Sequence, residues 1–535
     1  MKANIVFRNG EVLTVDKHDS ICEAVAVKNG KIIFCGSDAA VADYCDSATQ
    51  IIDLSGRTLI PGFIDSHLHM GVMGMNATGV DCRYPYVKSV KEIQAKVADA
   101  ARKLPKGAWV RGWGYDHSKL EEGRHPTRFE LDEVAPDNPV SLVRTCAHIS
   151  ANNSKALEIA GICDDSPDIP GGEMERYDCG CLNGVMKENA HMVMVKAALP
   201  TKDELMNAFA IANKMLISEG ITSVHDSGGY GVMQLDAQRE AVEKGIIDIK
   251  INAILFSFVD NLQFVRGEIE KGPRTEQNTD HFRIGPIKLM IDGSSSGPTA
   301  ATFEPYCSNP DFSGIVAANQ ELADEIMMSA HEKGFQITSH AVGDRGVDII
   351  SRAIENALNA IPKNDHRNRI EHSAIINEEL LERIKRLKIV PVPQPIFLYE
   401  FGDGYMVNYG KKRVDNMFTC RRFIDEGIIQ AGSSDCPITF SNPLMGIHLA
   451  VNRTTQSGQK ISQGQRINKM EALRLFTYNG AYASFEEDKK GSIEVGKAAD
   501  LVVLNGSYRN CEDEKLKDMH VEMTFIDGKL VYDGK

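Results

Sequence analysis

Two histidines one residue apart, His67 and His69, close an apolar stretch that opens at Thr58-Leu59-Ile60 and breaks at Pro61-Gly62. In an extended strand residues i and i+2 share a face, so both imidazoles project together and Leu68 faces the other way. Imidazole is the commonest protein ligand for zinc, which makes a same-face pair a two-nitrogen metal grip. Alone, the motif is too short to decide anything. It gains weight because other apolar runs also end in residues fit for metal or acid–base work. Lys288 lies within Gly285-Pro286-Ile287-Lys288-Leu289-Met290-Ile291-Asp292-Gly293. His340 ends Ile337-Thr338-Ser339-His340, His372 ends Arg369-Ile370-Glu371-His372, and Asp435 follows Ala431-Gly432-Ser433-Ser434. Singly, each has an ordinary explanation: a lysine in an apolar strand snorkels, and a lone His or Asp after a strand satisfies a turn. Their recurrence at strand ends is harder to dismiss.

The elements that carry them follow a pattern. Between residues 59 and 434 the chain alternates apolar strand runs with helical periodicity, which predicts a parallel α/β core. The candidate strands are Leu59–His69, Ile221–Asp226, Lys250–Phe256, Ile284–Ile291, Gln336–Ala341, Arg369–Ala374, Ile389–Pro393 and Ile428–Ser434. Helical stretches such as Gln320–Lys333 and Asn377–Arg386 lie between them. Eight βα units predict a closed (β/α)8 TIM-like barrel over residues 61–487, whose active site gathers at the C-terminal strand ends. The gap after the first strand is too long for one crossover and predicts an insertion over residues 75–215, with a strand at Val140–Arg144.

Both ends of the chain read as β. Ile5-Val6-Phe7, Val12–Val15, Ala24–Val27 and Lys31–Phe34 are separated by Asn9-Gly10 and Asn29-Gly30, a strong hairpin signal. Ala499–Leu504 and Val521–Ile526 are strand-like, and Asp527-Gly528 turns into Lys529–Tyr532. Residues 1–60 and 488–535 are therefore expected to build one small composite β-sandwich.

Composition is that of a globular protein, with 42% hydrophobic and 25% charged residues, so a large core is affordable without a membrane span. The net charge of −14 opposes binding to nucleic acid or an anionic membrane and points to a small-molecule partner. The N-terminus lacks the apolar core of a signal peptide. The twelve cysteines form no CxxC pair, Cys179 and Cys181 being the nearest approach, which suits a reducing cytoplasm. Assembly into a homo-oligomer is left open.

The order HxH, Lys, His, His, Asp on successive strands resembles the metal-dependent amidohydrolase superfamily. Pro61-Gly62-Phe63-Ile64-Asp65-Ser66-His67-Leu68-His69 and Gly491-Ser492-Ile493-Glu494-Val495-Gly496-Lys497-Ala498-Ala499-Asp500-Leu501-Val502-Val503 look like that family's opening and closing motifs. His340-Ala341-Val342-Gly343-Asp344-Arg345, Arg369-Ile370-Glu371-His372, Ser434-Asp435-Cys436-Pro437 and Leu131-Asp132-Glu133-Val134-Ala135-Pro136 are similar to the branch containing N-substituted formamide deformylases. Two departures stand out: Cys146-Ala147-His148 where the branch often has Gly-His-Ala, and Cys436 where it often has alanine.

The resemblance implies an amidohydrolase using one or two divalent ions, zinc first among them. His67, His69 and Asp435 would hold the more buried metal, and His340 and His372 the second. Lys288, if carboxylated, would bridge them; an unmodified ammonium only donates, so a one-metal site stays open. Asp435 would move the proton from water to the leaving amine. Glu371, Asp65 and Asp344 would orient ring nitrogens, and His225-Asp226 would stand at the pocket wall. Trp113, Tyr115, Arg144 and His148 are the expected substrate-binding residues of the insertion, since aromatic walls with a few polar groups suit a small organic molecule. Lys187-Glu188 and the loop Ser294–Thr299 are further loop candidates. The expected reaction is hydrolysis of a non-peptide carbon–nitrogen bond in an amide or N-substituted formamide. The alternatives are the same site acting on an ester, lactone or phosphoester, and an inactive barrel used for binding.

Overall fold

Strands buried on both faces need apolar residues without alternation, and Ile221–Asp226 and Lys250–Leu255 bury every residue. A computed structural model describes residues 1–145 and 147–534; Cys146, at one of the two departures from the branch pattern, lies outside the described residues. Seven strands lie side by side in chain order: β1 (Phe63–Leu68), β2 (Ile221–Asp226), β3 (Lys250–Leu255), β4 (Phe282–Met290), β5 (Ile337–Ala341), β6 (Arg369–His372) and β7 (Val390–Val392). Each is parallel to the next. They form a nearly closed α/β barrel sheet. The helices after β4, β5 and β6 are Gln320–Glu332, Asp344–Ala360 and Glu378–Leu387. Asp344–Ala360 buries Val347, Ile350, Ile354 and Ala357, the spacing of one helical face. Asn319 and Asn377 cap their helices by accepting from Leu322 N and Leu380 N.

The expected eighth strand, Ile428–Ser434, is not a strand. Its residues pass between β7 and β1 and hydrogen-bond to each only sparsely. Ala431 N donates to Pro391 O at 3.0 Å, Ser66 N to Gly432 O at 3.1 Å, and Asp435 N to His67 O at 2.7 Å. The segment thus bridges the barrel's two edges without forming a regular ladder. The first expected strand is also divided at Gly62. Thr58–Pro61 joins a sheet made from the termini, and β1 begins at Phe63. A Cβ at Gly62 would lie 2.2 Å from Thr222 Oγ1, so β1 enters the barrel past β2 only with glycine there.

The terminal segments make two sheets. Lys31–Gly36, Ala24–Lys28, Ile5–Arg8 and Gln50–Asp53 form one, in that order. Lys529–Asp533, Val521–Ile526, Leu501–Leu504, Thr58–Pro61, Glu11–Leu13 and Ile21–Cys22 form the other. Phe7, Val25, Leu59, Leu501 and Phe525 share one buried cluster. Asn29-Gly30 and Asp527-Gly528 turn hairpins as expected. Asn9-Gly10 does not: Ile5–Arg8 and Glu11–Leu13 lie in different sheets, so the turn carries the chain from one to the other.

The chain divides into two compact units. One holds Met1–Met70, Asn213–Gly231 and Gln238–Lys535; the other holds Gly71–Ala212 and Val232–Ala237. The second has its own six-stranded sheet, which includes Val110–Tyr115, Val140–Arg144 and the hairpin of Gly172–Arg176 with Leu182–Glu188. Among the described residues no helix is long and apolar enough to cross a membrane.

Candidate metal centre

β1 delivers His67 at its end, and His69 follows just beyond it. His67 Nε2 and His69 Nε2 each stand 3.4 Å from Asp435 Oδ1. The three residues offer ligand atoms that all lie within 4.8 Å of one another, and all three are buried. The opposite nitrogen of each ring is tied down. His67 Nδ1 meets Glu371 Oε2 at 2.5 Å, and His69 Nδ1 donates to Gly228 O at 2.9 Å. Such contacts fix the tautomer and aim the free nitrogen.

The other two histidines gather beside this trio. The His372 ring centroid is 5.1 Å from that of His67 and 4.4 Å from that of His340. His372 Nδ1 donates to Gln394 Oε1 at 2.9 Å, which leaves Nε2 for a ligand. His340 is held the other way round, Nε2 donating to Gly293 O at 3.0 Å. Lys288 Nζ stands 3.1 Å from His67 Nε2 and 4.7 Å above the Phe256 ring. His372 and Asp435 both have left-handed backbones, with φ of 73° and 58°. Such strain costs of order 1–3 kcal/mol per residue and concentrates at functional sites.

Burial sets the charge states. It holds His67 and His340 well below the ordinary imidazole value and lowers His372, which keeps the ligating neutral form. It pulls the Lys288 amine down to about 8. Burial opposes ionisation of Asp435, but its contacts with the surrounding histidines, His69 first, outweigh it and hold the carboxyl well below the usual carboxylate range.

Beneath the ligands lies a fully buried polar layer. Arg369 grips Glu371 with Nε to Oε1 at 2.9 Å and Nη2 to Oε2 at 3.0 Å, and Thr338 Oγ1 donates to Oε1 at 2.5 Å. Arg369 also donates to Ser66 O at 2.6 Å and meets His225 Nδ1 at 2.7 Å, so His225 faces this arginine. Asp226 Oδ1 accepts from Met70 N at 2.8 Å, fixing the chain just after His69. Asp65 Oδ1 accepts from the backbone of His67 at 3.0 Å and Ser434 at 3.2 Å. Burial raises Asp65 to about 7. Asp344 Oδ1 accepts from the backbone N of Phe303, in the loop after β4, and of Arg345, and among the described residues these contacts aim it at no ring nitrogen.

Two supports escaped the sequence reading. Gln394 follows β7 and carries no charge, so nothing marked it. Asp292 binds Ala301 N, Val342 N and Gly343 N, and stands 3.7 Å from His340 Nε2. Its position after the Lys288 strand was the available signal. In the loop Ser294–Thr299, the Ser295 hydroxyl pairs with Tyr405 Oη at 2.8 Å.

The expected substrate-binding residues lie in the second unit. Tyr115 is fully buried, with Oη 2.9 Å from His125 Nδ1. Arg144 donates to Asp116 Oδ1 at 2.9 Å and to His117 Nδ1 at 3.0 Å, and His117 stacks on His125. Trp113 is half-buried in the strand beside them. His148 is exposed and meets Glu188 Oε2 at 3.0 Å. Lys187 pairs with Glu173 and Glu175.

A model of the amidohydrolase family matches residues 50–532. The chain belongs to that family. It is 30% identical to the putative amidohydrolase YtcJ of Bacillus subtilis, over 100% of both chains. It is 28% identical to the N-substituted formamide deformylase of Arthrobacter pascens, over 99% of this chain and 98% of that one. The crystal structure of an uncharacterized metal-dependent hydrolase from Pyrococcus furiosus superposes with a TM-score of 0.78 at 28% identity, covering 94% of this chain and 99% of that one. This amidohydrolase is accordingly an enzyme that hydrolyses carbon–nitrogen bonds. Its donor set fits a divalent cation: two imidazole nitrogens and one carboxylate, buried, convergent, and each imidazole braced from behind.

Proposed function

We propose that this amidohydrolase cleaves a non-peptide amide or N-substituted formamide of a small molecule. The observation that carries the reading is the buried convergence of His67, His69 and Asp435. A divalent metal, zinc in the first instance, held there and by His340, His372 and a carboxylated Lys288 where a second ion binds, would supply a Lewis acid for the carbonyl and for water. Asp435, ionised at neutral pH, accepts the proton of the attacking water and passes it to the leaving nitrogen, which departs as the amine. His67 is held for its role by Glu371 and Arg369, and His372 by Gln394. Trp113, Arg144 and His148 keep the assignment to substrate recognition, whereas Tyr115, fully buried with its hydroxyl on His125, serves the core of its own unit. The two terminal sheets are taken as one β-sandwich flanking the barrel. The strongly negative charge favours a small-molecule substrate over nucleic acid or membrane, and the scattered cysteines suit a reducing cytoplasm.

The decisive experiment is metal removal with a panel of substrates. Chelation should abolish hydrolysis of amides and formamides, and zinc or another divalent ion should restore it. Activity indifferent to chelation, with no metal by elemental analysis, would refute the reading. Faster turnover of esters, lactones or phosphoesters than of any amide would move it to the alternative substrates.

A further inference from the structure

The turn joining Gly172–Arg176 to Leu182–Glu188 holds two thiols against each other. The sulfurs of Cys179 and Cys181 share a hydrogen bond at 2.9 Å. The backbone is built to bring them there. Gly180 N donates to Tyr177 O at 2.8 Å, and Tyr177 N donates to Cys181 O at 2.8 Å. Between the two cysteines Gly180 adopts φ +87°, a left-handed conformation that a residue with a side chain enters only at a cost. That reversal returns residue 181 toward residue 179. Arg176 fastens the turn, its Nη1 donating to Gly180 O at 2.8 Å and to Asp164 O at 2.6 Å. Asp164 Oδ1 in turn accepts from Leu182 N at 2.8 Å. Neither thiol is buried: Cys179 is exposed and Cys181 is partly so.

The thiolate is the nucleophile in disulfide exchange, and with the two sulfurs in contact at the surface either can attack first and the other resolve.

We propose that Cys179 and Cys181 form a redox couple that closes to an intramolecular disulfide by exchange with a small-molecule disulfide such as oxidised glutathione. The thiolate of one cysteine attacks one sulfur of the oxidant, whose S–S bond breaks and releases one thiolate. The other cysteine then loses its proton to solvent and attacks the protein sulfur of the mixed disulfide. The second thiolate leaves. Two protein thiols are oxidised by two electrons, and the oxidant is reduced to two thiols. With one residue between the cysteines the ring is small, and it lies at the surface, which places the bond in the labile class that mild thiols reopen.

The test uses the full-length protein in mixtures of reduced and oxidised glutathione, followed by alkylation, digestion and mass spectrometry. The expected product is a peptide spanning residues 179–181, lighter by two hydrogens, unalkylated at both cysteines and restored by dithiothreitol. Cys179→Ser or Cys181→Ser should instead leave the remaining cysteine carrying a glutathione adduct. The proposal is overturned if wild-type protein keeps both cysteines alkylatable in the most oxidising mixture. It is equally overturned if wild type stops at adducts, or if the linkage maps to another pair such as Cys22 with Cys35. None of these readouts depends on the hydrolytic reaction.

Discussion

In the proposed reaction Asp435 joins two requirements in one side chain: an anionic ligand and a proton carrier. Its carboxylate faces both Nε2 atoms of the His67/His69 pair, and its left-handed backbone turns it inward from the segment that bridges β7 and β1. Asp435→Asn keeps the shape and removes the base. Hydrolysis should fall by about 10²–10⁴-fold, the usual worth of a positioned acid–base group, while elemental analysis still finds metal. Near-normal turnover would remove Asp435 from proton transfer. Gln394 reaches the candidate metal site through His372, while its Nε2 donates to Val392 O and Ser433 Oγ. Gln394→Leu should weaken metal binding roughly 10–100-fold, as losses of such supporting contacts do, read by metal titration with the protein's far-UV circular dichroism unchanged. Unaltered affinity would show that the His372 ring needs no brace. The candidate ligand residues could be picked out in the sequence because His, Lys and Asp at strand ends are conspicuous. Gln394 was not, because an uncharged amide between two prolines has no signature until the ring it touches is known.

Among elements, the strands buried on both faces were plain from their apolar runs, and β2 was read to the residue. Boundaries failed where tertiary contacts set them. Thr58–Pro61 and β1 look like one strand in sequence, yet they belong to two sheets. Gly62 makes the division by letting β1 pass within contact distance of Thr222. Gly62→Ala should destabilise the protein by about 1–3 kcal/mol, the cost of overpacking a close approach, as a lowered denaturant midpoint with an unchanged slope. No shift in the midpoint would mean that the two strands part easily. Ile428–Ser434 has the composition of a strand but gains only isolated hydrogen bonds to its neighbours. Asn9-Gly10 has hairpin chemistry but serves as a passage between sheets. In each case local propensity allowed the conformation, and the partner decided the outcome.

At the scale of the molecule, charges buried far from the site tie the barrel to the terminal sheet. Lys250, at the start of β3, meets Asp500 at 2.8 Å and Asp527 at 2.8 Å, residues 250 and 277 positions away. Lys250 and Asp500 are almost wholly buried. Lys250→Met would leave Asp500 buried without its cation and should cost roughly 3–5 kcal/mol; a loss under 1 kcal/mol in chemical denaturation would contradict this. Burial opposes the Lys250 charge, but the two aspartates win and raise its pKa. Its stabilisation is therefore complete below the unfolded lysine value of about 10.4 and is lost as pH rises through the raised folded value. Wild type should lose stability more steeply than Lys250→Met in that alkaline window. Sequence alone determined the kinds of residue, their order along the chain and the alternation of strand and helix, because these follow from local chemistry and periodicity. The tertiary structure decided which nitrogen of each imidazole is free, which carboxylate braces which ring, and how the barrel's edges meet. Those depend on contacts between residues hundreds of positions apart, and the curl of the nearly closed sheet is what brings them within a few ångströms.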